Sequence, residues 1–157
     1  MNKYIFFLTV FLGMISGFYL GPHLMLSYIG GCESESIFIN SKESVSAVTK
    51  GNWVYNRGLS HALYSASVKI QGEGGGVETF YAGRVFDITY NFINDSIKVK
   101  NEHASVIVGP GSAVGRNSEY LDPFTNEGFS TSINLFKVGN SIITGYKNRP
   151  RWICQEK

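Results

Sequence analysis

Phe86-Asp87-Ile88-Thr89-Tyr90-Asn91-Phe92-Ile93-Asn94-Asp95-Ser96-Ile97-Lys98-Val99-Lys100 is the stretch that decides the fold class. Phe86, Ile88, Tyr90 and Phe92 recur at every second position, with Asp87, Thr89 and Asn91 between them. A β-strand sends successive side chains to opposite faces, so this pattern describes a strand with one face in a core and the other in water. Asn94-Asp95 supply a tight turn, after which Ile97 and Val99 alternate with Lys98 and Lys100. Two alternating runs around a turn read as a β-hairpin.

The same reading extends in both directions. Val106 and Val108 predict a further strand before the breaker Gly109-Pro110-Gly111, and the glycine-rich run to Gly115 reads as a loop. Ile133 and Leu135 alternate with Asn134, Gly139-Asn140 make a turn, and Ile142-Ile143 with Tyr146 open a return strand. Upstream, Ile37–Asn40, Gly51–Asn56 and His61–Ile70 are weaker strand candidates, and Gly72-Glu73-Gly74-Gly75-Gly76 separates the last of them from Val77–Ala82. Ser41–Ala47 has room for a short helix, and no other window beyond Cys32 has a helical stripe. Eleven Phe, nine Tyr and eighteen Gly suit pleated surfaces joined by turns. Seven or eight short strands predict an all-β domain, a small barrel or a sandwich, with the strand order left open.

The chain of 157 residues allows one such domain. Its net charge of +2 is too balanced for a protein that grips phosphate backbones, which needs a basic patch. The apolar content is uneven. Tyr4–Gly31 contains no Lys, Arg, Asp or Glu, and every charged residue except Lys3 lies in Cys32–Lys157. A bilayer core of about 30 Å needs about 20 apolar residues, so this run is long enough to span, with Pro22 tolerated near its outer end. Lys3 and the amino terminus orient it N-in. The expected layout is a cytoplasmic stub at 1–3, a transmembrane signal anchor at 4–29 and an exported domain at 32–157. A cleaved signal peptide is one alternative. A lipoprotein is another, since Ile29-Gly30-Gly31-Cys32 is similar to a lipobox that would leave Cys32 acylated. All three export the remainder.

An exported compartment is oxidising, so the pair Cys32 and Cys154 reads as a disulfide enclosing nearly the whole domain. Metal binding is the weaker reading, since two distant cysteines lack a ligand set. The glycine cluster at 72–76 has no Lys-Ser/Thr after it and reads as a turn, not a phosphate loop. No nucleophile-elbow or paired-carboxylate motif marks a catalytic residue, and no cofactor is expected. His61 and His103 are the candidate pH-sensing residues, because imidazole changes charge near neutrality. Phe80, Tyr81, Phe86 and Tyr90 are core aromatics or the lining of a barrel that holds a small apolar ligand. Trp53 and Trp152 are expected beside the disulfide.

A short stub, one anchor and a β-rich exported domain with terminal cysteines form a layout that resembles the small periplasmic effectors encoded beside membrane-bound, winged-helix transcription activators. These are the ToxS-like and FidL-like proteins. The resemblance is greatest to fimbrial regulatory proteins of the MyfF/PsaF type, through Met1-Asn2-Lys3-Tyr4-Ile5-Phe6-Phe7 and Gly145-Tyr146-Lys147-Asn148-Arg149-Pro150-Arg151-Trp152-Ile153-Cys154. It implies a non-enzymatic, single-pass protein of the bacterial inner membrane with its C-terminus in the periplasm. Its periplasmic domain would bind and stabilise that of the activator, promoting fimbrial or adhesin (virulence) gene expression without touching nucleic acid. A fimbrial assembly accessory is the alternative role.

Overall fold

Eight antiparallel strands follow one long helix and close into a barrel in sequence order. The computed structural model describes residues 3–42, 45–72, 74–93, 96–108, 119–146 and 149–156. Helix α1 runs from Lys3 to Tyr28 and continues through Gly21-Pro22. The strands are β1 (Cys32–Lys42), β2 (Val45–Tyr55), β3 (His61–Gln71), β4 (Val77–Ile93), β5 (Ser96–Val108), β6 (Ser130–Val138), β7 (Ser141–Tyr146) and β8 (Arg149–Glu156). Lys3–Gly21 has a mean hydropathy of 1.8 and buries no residue, so α1 is long and apolar enough to cross a membrane.

The barrel, and not the sandwich, is the outcome of the all-β expectation. The hairpin at Phe86–Lys100 is present, with Tyr90 opposite Val99 and Phe92 opposite Ile97, while the turn at Asn94-Asp95 lies outside the described residues. Three details differ from the pattern reading. Val77–Ala82 and Phe86–Phe92 belong to one strand of 17 residues, β4, which Gly83 interrupts only in sequence. Val106 and Val108 are no separate strand but the end of β5, which has 13 residues. Two register shifts explain why that continuity was hidden: Asp87 pairs with His103 but Ile88 with Asn101, and Gly83 pairs with Val108 but Arg84 with Val106. Each shift leaves one extra residue on β5, Glu102 and Ile107, and a β-bulge of this kind inverts the alternation beyond it. The third difference is Ser41–Ala47, whose described residues are strand and not helix. Ser41 and Lys42 end β1, and Val45 to Ala47 begin β2, with Ser41 opposite Ser46. A helical turn here would cost its nucleation without an apolar face to bury, whereas the hairpin extends an existing ladder.

Inward-facing residues of β2, β3, β4 and β5 form the main core around Trp53, Tyr64, Phe86 and Val99. Trp53 stacks on Tyr55 at 5.9 Å between ring centroids and packs against Tyr64 at 4.4 Å and Phe86 at 5.3 Å. Gly51 is required at its position: a Cβ there would lie 2.6 Å from Tyr64 Oη and 2.8 Å from Ser36 Oγ. Burial pushes the Tyr64 hydroxyl up to about 12, with the Asp122 carboxylate adding to it, and burial raises Tyr55 and Tyr90 further. A smaller cluster of Ile29, Cys32, Leu59, Ile142 and Cys154 sits where the chain enters the barrel. Ile29, expected within the span, is therefore part of the domain.

The wall is uneven. β1 to β4 pair along most of their lengths, but β5 meets β6 only from Ile97–Ile133 to Lys100–Ser130. β1 meets β8 only at Cys32–Glu156 and Glu33–Gln155. Residues 119–129 fill the gap from inside. Leu121 and Phe124 are buried in the core, and Asp122 accepts a hydrogen bond from Phe124 N–H at 3.0 Å. Thr49 donates to Tyr120 O, Asn40 to Glu119 O at 2.8 Å, and the buried Arg84 guanidinium to Thr125 O at 2.8 Å. Burial lowers the Arg84 pKa from its ordinary value. Asn101, fully buried, donates from Nδ2 to Phe124 O and Asn126 O.

Candidate functional site

The short seams leave two strand edges open at the end of the barrel where β1 finishes. Among the described residues, no backbone hydrogen bond reaches the outer edge of β1 beyond Glu33 or that of β5 beyond Asn101. Both edges carry exposed apolar side chains. Ile37 and Ile39 on β1 are 68% and 67% accessible, and Val106, Ile107 and Val108 on β5 are exposed as well. Ile37, Tyr81 and Val108 also rim a shallow groove on the outer wall, floored by Ser65, Ser67 and Gly83. Unpaired N–H and C=O groups beside apolar side chains are what an incoming extended segment pairs with.

Cys32 and Cys154 form the expected disulfide, with 5.5 Å between their Cα atoms. The acylated Cys32 of the lipoprotein reading cannot coexist with this bond. The disulfide lines a cavity of about 50 Å³ together with Tyr55, Leu59, Tyr90, Ile142 and Trp152. Trp152 thus lies beside the disulfide as expected, whereas Trp53 sits in the main core and does not. The cavity wall carries two buried hydroxyls, Ser34 Oγ and Thr144 Oγ1, that have no hydrogen-bond partner among the described residues. Ligand pockets ordinarily run from about 300 Å³ upward. A space of this size suits one or two waters held by those hydroxyls. Of the four aromatics singled out in the sequence, Phe86 is core and Phe80 packs partly buried against it. Tyr90 borders the cavity, and Tyr81 is on the outer surface.

His61 and His103 lie on the outer wall and share a neighbour. His61 is paired in register with Asp87, and Asp87 with His103, so the three form a row across β3, β4 and β5. His61 Nδ1 is 2.7 Å from Asp87 Oδ1, and His103 Nδ1 is 3.5 Å from Glu127 Oε1, all four side chains being exposed. The bulge at Glu102 brings His103 here; unbroken alternation from Ile97 and Val99 would have turned it inward. Glu102 is held by Lys100 at 2.6 Å and by Thr89 at 3.0 Å, which lowers its pKa. Among the described residues no group of three or more His, Cys, Asp and Glu is arranged to hold a metal ion. The glycine cluster is a hairpin turn, closed by Gly75 N–H to Gly72 O at 3.1 Å with Gly75 at φ +73°.

Sequence reasoning missed Arg84, Asn101 and the sealing segment at 119–129. The Phe86–Phe92 alternation carried back two residues places Arg84 inward, so that signal was present. Asn101 continues the Ile97–Val99 face in the same way. The Gly109–Gly115 loop reading falls outside the described residues. No family model matches the chain, and no curated protein matches it either.

Proposed function

We propose that this is a single-pass protein of the bacterial inner membrane, oriented N-in by Lys3. In this reading its barrel stands in the periplasm and binds the periplasmic domain of a membrane-bound transcription activator. Binding stabilises the activator and promotes fimbrial or adhesin gene expression. The observation that carries the reading is the pair of open edges on β1 and β5 with Ile37, Ile39, Val106, Ile107 and Val108 exposed along them. An extended segment of the activator adds to one of these edges, main-chain hydrogen bonds supplying affinity and the apolar side chains register. The resemblance to MyfF/PsaF-type proteins supplies the class of partner. A ligand-carrying barrel is less favoured, because the interior cavity is too small for a drug-sized molecule.

The test is the lifetime of a co-expressed winged-helix membrane activator. Its half-life should lengthen in the presence of this protein, and Ile39→Lys with Ile107→Lys should abolish that protection while Leu63→Lys, exposed on the outer face near the start of β3, leaves it intact. Equal degradation with and without the protein overturns the reading.

The histidine row gives the same protein an acid-responsive face. His61 and His103 stand against the carboxylates of Asp87 and Glu127, and the Lys100–Glu102 pair lies on the same strand as His103. His61→Ala or His103→Ala then flattens the response of the activator to acid; an unaltered response in the double variant removes both residues from sensing.

A further inference from the structure

Little chain separates the barrel from the end of α1. The helix has 26 residues, about 39 Å at 1.5 Å per residue, against about 40–45 Å for a bilayer with its headgroups. A helix that spends this length crossing ends among the headgroups. Only Ile29-Gly30-Gly31 stand between it and β1, and they are fastened to the barrel. Gly58 N–H donates to Ile29 O at 3.0 Å, Gly30 N–H to Glu156 Oε1 at 3.1 Å, and Arg57 Nε to Ser27 O at 3.4 Å. No free linker lifts the domain off the bilayer.

The strand order fixes what else lies at that end. The β2–β3, β4–β5 and β6–β7 connections all share the end of the barrel where β1 begins and β8 finishes. Ile93, Phe136 and Val138, beside two of these turns, are 47%, 52% and 61% accessible. Arg57 lies in the third connection, spends one guanidinium N–H on Ser27, and has no carboxylate partner among the described residues. Glu156 at the same end is neutralised by Lys137 at 2.8 Å, and that contact with the Gly30 N–H holds its pKa below the ordinary value.

We propose that this end of the barrel rests on the lipid surface, with Ile93, Phe136 and Val138 at the headgroup–acyl boundary and Arg57 on lipid phosphate. Shallow burial of apolar tips with a cation at phosphate level is how peripheral elements hold a bilayer. The docked barrel has a fixed orientation that points the open edges of β1 and β5 away from the lipid. The proposal rests on α1 crossing the bilayer.

The experiment uses the full chain in phosphatidylethanolamine–phosphatidylglycerol vesicles with brominated acyl chains. An environment-sensitive fluorophore, carried by an unnatural amino acid, replaces Phe11, Glu78, Ile93 or Val138 in turn. Quenching is expected at Phe11, Ile93 and Val138 and not at Glu78, which lies at the opposite end of β4. No quenching at Phe11 refutes the membrane crossing itself. Quenching at Phe11, with Ile93 and Val138 as dark to the bromines as Glu78, overturns the docking and leaves the anchor standing. Arg57→Gln should weaken quenching at Ile93 and Arg57→Lys restore it; identical quenching in both overturns the phosphate contact.

Discussion

Breaking the Cys32–Cys154 bond is the perturbation whose consequence follows most directly from the topology. The bond closes a loop of sequence separation 122, for which the chain-entropy model gives about 5 kcal/mol at 25 °C. It also guards the weakest seam of the wall, where β1 and β8 share two residue pairs. With a urea m-value of about 2 kcal/mol/M, the loss is a fall of about 2–3 M in midpoint. In temperature it is a drop of about 10–20 °C. The assay is urea unfolding of the detergent-solubilised full chain, oxidised against reduced, read by Trp53 and Trp152 fluorescence. Cys32→Ala with Cys154→Ala should reproduce reduction, since both residues are small and buried. Amide exchange separates the two contributions. The amides of Cys32, Glu33, Gln155 and Glu156 should exchange faster than global unfolding accounts for, whereas those around Tyr64 and Phe86 follow the global value. Oxidised and reduced protein with the same midpoint and the same seam exchange would refute the reasoning.

Gly51→Ala forces a Cβ into Tyr64 and Ser36 and should cost about 1–3 kcal/mol by overpacking, measured by the same urea titration; no loss would mean that the Tyr64 ring can move. Arg84→Met keeps the stem but leaves Thr125 O without its donor, so about 1.5–3 kcal/mol should be lost, with residues 119–129 becoming protease-sensitive before the wall does. High pH should destabilise the barrel: unfolded tyrosines ionise near 10.0, whereas Tyr64 ionises near 12 and Tyr55 and Tyr90 higher still. The unfolded state therefore binds fewer protons between these values, and stability falls as pH rises above about 10. Phenolate absorbance that appears together with loss of fold confirms this; phenolate appearing in the intact barrel contradicts it.

How much of this was legible depended on where alternation stayed unbroken. The Phe86–Phe92 face, the turn at Gly139-Asn140 and the pairing of two distant cysteines come from local rules, and each is where the rules put it. The length of β5 was not legible, because bulges at Glu102 and Ile107 reverse the alternation and make one strand look like two. Closure into a barrel was legible only as one of two outcomes, barrel or sandwich. It depends on which edges meet, and β1 and β8 meet over only two pairs, backed by a disulfide whose partners were readable but whose register was not. The histidine row is the clearest case: His61 and His103 could be named, but their shared neighbour Asp87 required the bulge.

The composition of the open edges supports a covered working state. Proteins that leave a strand edge in water usually blunt it with Lys, Pro or an inward charge. Between Glu35 and Lys42, the β1 segment Ser36-Ile37-Phe38-Ile39-Asn40-Ser41 has none of these, and neither has Ala104-Ser105-Val106-Ile107-Val108 on β5. Short segments of high β-propensity without charge or Pro are the ones that pair with other chains. A bare edge of this kind would promote self-association, whereas an edge that a partner occupies would not. Ile39→Lys therefore separates the two: it should raise the solubility of the protein alone while removing the proposed protection of a co-expressed membrane activator. An edge substitution that improves solubility and leaves protection unchanged would move the partner site off β1.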